Sequence, residues 1–267
     1  MNSSCVVVDR SLVTGIAELN NNIYVALFGS NKLRVFGSIL FNRRKNLVVK
    51  GMETPWDLAA DLRHLYIADY CGQRVWRVQI KDEQDSDGKE KITVDKWVFD
   101  GHPYSLSVNV IGQVLVVDGD KNELTIYSGQ GKRLEVIKLK DKGLLETNRV
   151  IQASLDTFLV VHNDLVSLVD RKWKFLKQYG GSAASVQLST PHHLAEVSAD
   201  GHKFVADMER VLALSPRLEF ERTLVLPPES VDLQLCWWRR LYYSRSCGRL
   251  FVSWGGDYVW VYSITSR

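Results

Sequence analysis

Four places in the chain carry the side chains best suited to chemistry or to binding: Trp56-Asp57, Tyr104-Ser105, Arg149 and His192-His193. A carboxylate beside imidazoles can move a proton or, with further donors, hold a divalent cation. The same set, with its aromatic rings and its guanidinium, can instead hold a small polar ligand. These places lie far apart in sequence, so any shared chemistry depends on a fold that gathers them. His192 and His193 carry one more restriction. Neighbours in a strand point to opposite faces, so at most one of the two can look into a common site.

Other catalytic patterns find no support. There is no Gly-x-Ser-x-Gly elbow, no phosphate loop and no serine or cysteine in a nucleophile's context. The four cysteines, Cys5, Cys71, Cys236 and Cys247, have neither zinc spacing nor the density of a disulfide framework. They read as reduced, mostly buried thiols in a cytoplasmic protein, with Cys71 in a turn beside Gly72. The run from Lys81 to Lys91 imitates a calcium loop with Glu83, Asp85 and Asp87 before Gly88. Its twelfth position is Val94, where a bidentate Glu is required, so it reads as a long solvated connection between strands.

The elements able to position the candidate residues come from repetition. One phrase recurs: a first strand after a Pro or its substitute, a second apolar strand ending near Ala-Asp, a polar turn, then a third strand. It is clearest in Thr54-Pro55-Trp56-Asp57-Leu58-Ala59 with His64-Leu65-Tyr66-Ile67-Ala68-Asp69 and Arg74-Val75-Trp76-Arg77-Val78. It returns at His102-Pro103-Tyr104 and at Thr190-Pro191-His192. Weaker copies begin near Thr14, Val150 and Leu241. Anchors in the second strands, at Tyr24, Tyr66, Leu115, Leu159, Phe204 and Phe251, are 42 to 49 residues apart, the span of one four-stranded propeller blade.

The reading is therefore an all-β, six-bladed β-propeller with four-stranded blades, a single domain over 1–267. The blades fall at approximately 11–51, 52–100, 101–146, 147–181, 182–228 and 229–264. The last runs out of chain, and a strand within 4–10 completes it and closes the ring. First strands line the channel of such a ring, so Trp56, Asp57, Tyr104, Ser105, Arg149, His192 and His193 are expected around one channel mouth. Asp69, Asp118 and Asp207, each closing a second strand, are expected to accept amide hydrogens from the following turn.

Composition sets the outer bounds. The chain has 267 residues, 45% hydrophobic and 24% charged, with a net charge of +3. Those values exclude a disordered, collagenous or coiled-coil chain. The small positive charge does not by itself imply nucleic acid, and no window is apolar enough to span a membrane. The N-terminus lacks the basic and apolar regions of a secretory signal. Basic runs at Lys132-Arg133 and Arg239-Arg240 would support RNA binding if the fold gathered them on one face.

The Pro-x-x-Leu-Ala start, the Ile-Ala-Asp ending and the Arg-Val-Trp-Arg-Val strand resemble NHL repeats. The last copy, from Arg240-Leu241-Tyr242-Tyr243 to Val259-Trp260-Val261-Tyr262, is similar to the closing repeat of NHL domains in tripartite-motif proteins. The likeness covers the whole chain and is most degenerate in blade four. It implies a binding platform for a protein partner, or for single-stranded RNA across a basic face. The RING, B-box and coiled-coil segments of that family are not in this sequence. Trp56-Asp57 does not signal a WD40 repeat, because it opens a first strand instead of ending a third. Six-bladed lactonase-like enzymes hold a metal in the channel with Glu, Asp and Asn. Here Asp57 alone fits that set, with His192 or His193 as additions. The expectation is a non-enzymatic binding protein with no cofactor, no metal and no catalytic residue. RNA binding and a small-ligand or lactonase-like site are the alternatives.

Overall fold

The computed structural model describes residues 3–8, 11–84, 90–182, 184–197, 201–226 and 239–264. They form six four-stranded antiparallel sheets, five of them meanders whose strands follow chain order. The first strands are Val13–Leu19, Pro55–Ala60, Pro103–Val108, Thr147–Gln152, His193–Val197 and Arg240–Ser244. Each touches the first strands of the adjacent blades, which makes them the inner wall of a ring. This is a six-bladed β-propeller. The sixth sheet takes its outer strand from the other end of the chain: Ser3–Val7 pairs antiparallel with Tyr258–Ser263, Cys5 opposite Trp260. The ring is closed by hydrogen bonds and leaves no edge at the seam.

Strand residues face alternately to either side of their blade, and each side buries against a neighbour. Apolar residues on both faces explain why second strands such as Leu65-Tyr66-Ile67-Ala68 are continuous runs. Six apolar clusters result. In one, Tyr24 and Leu33 of blade 1 meet Ile67 and Trp76 of blade 2; in another, Leu159 and Val166 of blade 4 meet Val205 and Leu212 of blade 5. Each fully buried aliphatic side chain contributes about 1.5–3 kcal/mol. Stability is therefore spread around the ring rather than held in one centre.

The Asp residues that close second strands act as turn ligands. Asp69 is fully buried and accepts from the Glu53, Thr54 and Gly72 amides, and from Trp76 Nε1–H at 2.9 Å. Asp118 accepts from the Asp120 and Lys121 amides, and Asp207 from those of Glu209 and Arg210. In blade 2 the third and fourth strands extend to Gln84 and from Glu90, which pair with each other. The acidic run at 81–91 thus belongs to a long hairpin. Its tip, 85–89, lies outside the described residues.

Two features do not follow from the strand pattern. Among the described residues a single 3-10 turn, Leu139–Lys142, joins blades 3 and 4. In blades 1 to 4, the first strand carries a bulge one residue past its start, between Val13 and Gly15, Pro55 and Asp57, Pro103 and Ser105, and Thr147 and Arg149. A bulge re-aims the residue that follows it. Here it sets Gly15, Asp57, Ser105 and Arg149 at equivalent heights in the ring. The expectation of mostly buried thiols is corrected: Cys5, on the outer strand of blade 6, and Cys71, in a turn, are exposed, and Cys247 is half-buried. Among the described residues no helix is long and apolar enough to cross a membrane.

Candidate functional site

The inner strands bring one residue from each blade to the same level: Gly15, Asp57, Ser105, Arg149, His193 and Arg240. Asp57, 2% exposed, is the hub. Its Oδ2 accepts from Arg149 Nη1 at 2.7 Å and from the Leu106 amide at 2.8 Å, and its Oδ1 from its neighbour Leu58 at 2.9 Å. Arg149 Nη1 also reaches Ser105 Oγ at 3.4 Å. His193 Nε2 lies 3.9 Å from Asp57 Oδ1. The Leu241 amide donates to His193 Nδ1, so the proton of the neutral ring sits on Nε2 and points toward the carboxylate.

Blade 1 contributes no side chain at this level. A Cβ on Gly15 would sit 2.7 Å from the Leu58 backbone nitrogen, so only glycine allows the two inner strands to approach as they do. Beside it, Thr14 Oγ1 donates to Pro55 O at 2.7 Å. Arg240 crosses from blade 6 to bind the carbonyl of Thr14 and, at 3.1 Å, that of Trp56. The centre of the channel is a solid polar plug that joins the blades.

Electrostatics follow from this packing. Burial alone would raise the Asp57 pKa. Arg149 and His193 outweigh it and hold the carboxyl well below the usual range. Burial, and then the Arg149 charge, drives His193 down to about 3, so the ring is neutral. His192 is lowered to about 4 by burial and by Arg240 and Arg239.

Of the residues expected around a channel mouth, Asp57, Ser105, Arg149 and His193 converge, but inside the ring and not at its rim. Trp56 is buried, stacked on Tyr70 at 4.8 Å and tilted against Tyr104 at 5.7 Å. Tyr104 and His192 are half-buried. The expected basic face is corrected. Arg239 and Arg240 are 0% and 3% exposed, because their guanidinium groups satisfy buried backbone carbonyls: Arg239 those of Trp254 at 2.8 Å and Met208 at 3.1 Å, Arg240 those named above. Lys132 and Arg133 are exposed, at and just before the outer strand of blade 3. The two basic pairs occupy opposite ends of a blade's radius and share no face.

Among the described residues an opening lies on the other side of the plug, where first strands turn into second strands. A vestibule of about 740 Å³ lies there, bounded by Glu18, Asp61, His64, Asn109, Gln152 and Tyr243 among others. Below it a chamber of about 190 Å³ enters the channel between Leu58, Ser107, Ile151, Leu194 and Leu241 and reaches Arg149. Three residues of strand separate Gln152 from Arg149, roughly 10 Å of depth. The hairpin tips on this face expose apolar side chains: Leu62 at 93%, Val110 at 81% and Ile111 at 62%, with Leu155 in the next blade. Among the described residues no three His, Cys, Asp or Glu side chains gather as a metal site.

Gly15 and the apolar hairpin tips are absent from the sequence-based candidate set, in which Arg240 stands only as part of a basic run. A signal for the plug positions was present. Each plug residue precedes an aliphatic one, as in Gly15-Ile16, Asp57-Leu58, Ser105-Leu106, Arg149-Val150, His193-Leu194 and Arg240-Leu241.

No family model and no curated protein matches this chain. Solved structures do. A gluconolactonase from Xanthomonas campestris superposes with a TM-score of 0.67 at 13% identity, over 97% of this chain and 89% of that one. Virginiamycin B lyase from Staphylococcus aureus gives 0.67 at 8% identity, over 99% of both chains. A protein of unknown function from Bacteroides caccae gives 0.58 at 11%, over 81% of this chain and 82% of that one. At these identities the likeness is one of fold, the six-bladed propeller.

Proposed function

We propose that this protein is a non-enzymatic, NHL-like propeller that binds a protein partner at the face formed by its strand-one to strand-two hairpins. The observation that carries the reading is the arc of exposed apolar tips on three adjacent blades, Leu62, Val110, Ile111 and Leu155, beside the mouth of a deep vestibule. Apolar side chains grouped at the rim of a polar cavity are the usual mark of an interaction surface. Catalysis gains little from the plug. Asp57, the carboxylate best placed for it, is held by Arg149 and two amides and has no free lone pair aimed into open space. The burial of Arg239 and Arg240 weighs against an RNA-binding face.

A lactonase-like activity is the second reading. It is supported by the gluconolactonase among the structural neighbours and by the Asp57–His193 approach, and it is opposed by the ion pair that occupies Asp57.

The test is capture of partners from the native source, with and without ribonuclease, by the wild type and by a Leu62→Ser, Val110→Ser variant. Both positions are exposed, so the variant keeps its fold. Ribonuclease-resistant proteins lost with the variant are the expected result. Proteins retained equally by both forms would refute the assignment of this face. Turnover of a lactone by the wild type would move the protein to the second reading.

A further inference from the structure

We infer that the channel chamber is a carboxylate-binding pocket with the Arg149 guanidinium as its floor. The inference rests on the hairpin-face reading and adds the chemistry that this face recognises. The geometry has three parts. First, the chamber reaches Arg149 from the vestibule between mostly apolar walls, and about 190 Å³ suits one side chain or a small acid. Second, Arg149 is only partly used. Its Nη1 serves Asp57 and Ser105, whereas its buried Nε meets no acceptor, and among the described residues none takes Nη2. Nε is sealed from the chamber, so Nη2 is the donor that an anion can reach, through a charge-assisted hydrogen bond.

Third, the charges at the plug do not cancel. Arg149 and Arg240 face one carboxylate, Asp57, and His193 is kept neutral there. Arg240 spends its donors on the carbonyls of Thr14, Trp56 and Arg239, which leaves Arg149 to meet an anion from the open side. The channel therefore selects a negatively charged group on a short apolar stem. That group is a partner's Asp, Glu or terminal carboxylate, or a free small acid of the same shape.

The test uses the whole chain and matched probes. Butyrate and its uncharged isostere butyramide are titrated by calorimetry into the wild type, Ala195→Phe and the double variant Asp57→Asn, Arg149→Met. The double variant removes both members of the ion pair together, so neither is left without the other, and Arg240 keeps its three carbonyls. Ala195→Phe fills the chamber wall without touching the ion pair. The wild type is expected to bind butyrate about ten- to a hundredfold tighter than butyramide, as hydrogen bonds to an ionised group imply. The double variant should lose that preference, and Ala195→Phe should bind neither probe. Equal binding of the two probes by the wild type, or a preference that survives in either variant, overturns the inference.

Sources are then separated with peptides. Glu against Gln at an internal position, and a free against an amidated C-terminus, distinguish a partner's carboxylate from a small acid. A partner lost with Leu62→Ser, Val110→Ser but retained by the Asp57→Asn, Arg149→Met form would leave the platform standing without its carboxylate pocket. Butyrate selectivity without any captured partner would place the site with small acids and remove the platform.

Discussion

Replacing Arg149 with Met should expose how the plug is held. Met keeps an unbranched apolar stem and removes the guanidinium, and the Asp57 carboxylate stays buried with only the Leu58 and Leu106 amides. Stranding one member of a buried ion pair costs about 3–5 kcal/mol. Arg149→Met should therefore lower the unfolding free energy by that amount at pH 8, measured by urea denaturation. Asp57→Asn added to it should recover most of the loss, with a coupling of about 2 kcal/mol or more between the two sites.

Acid gives the variant a second signature. In the wild type His193 has a folded pKa of about 3, below its ordinary 6.5, so its contribution is present above pH 6.5 and is lost as pH falls toward 3. Part of that depression comes from Arg149. Without it the folded pKa should rise toward the ordinary value, although burial and Arg240 still oppose Asp57 at 3.9 Å. The stability lost in acid is then smaller: below pH 6.5 the variant should weaken less than the wild type, and the His193 ring signals should titrate at a higher pH by NMR. A variant within 1 kcal/mol of the wild type at pH 8, no rescue by Asp57→Asn, or an acid loss as large as that of the wild type would each refute the reasoning.

Other expectations test separate parts of the ring. Gly15→Ala should cost about 1–3 kcal/mol, because its Cβ meets the Leu58 backbone, whereas Gly256→Ala, whose Cβ meets nothing closer than 3.9 Å, should be near neutral in the same melt. Asp69→Ala strands several amide donors and Trp76 Nε1, so a loss of about 3 kcal/mol is expected, and a change under 1 would show that the turn holds without its carboxylate. Deleting residues 1–8 removes the outer strand of blade 6 and bares Tyr258–Ser263; light scattering should detect association that the intact chain lacks. The wild type should weaken steadily below pH 6.5, since buried His162 and His193 stay neutral to about 4 and 3. Each contributes up to about 1.4 kcal/mol per pH unit, and a flat stability curve from pH 6.5 to 4.5 would contradict that burial.

By itself the sequence determined the architecture. Propeller blades are local meanders, so strand periodicity, turn residues and the spacing of repeats carry nearly everything needed to build one. The leftover apolar strand at 4–10 predicted the closure seen in Ser3–Val7. The gathering of Asp57, Ser105, Arg149 and His193 was legible for the same reason, because equivalent positions in a ring must meet. What those residues do there was decided only in three dimensions. Whether a carboxylate faces solvent or a guanidinium depends on a partner 92 residues away, set in register by bulges that no local pattern announces. The same holds for Arg239-Arg240, which read as a surface run and proved to be buried carbonyl ligands. Charge is a property of residues, but exposure belongs to the closed ring, and exposure decides which charges can bind.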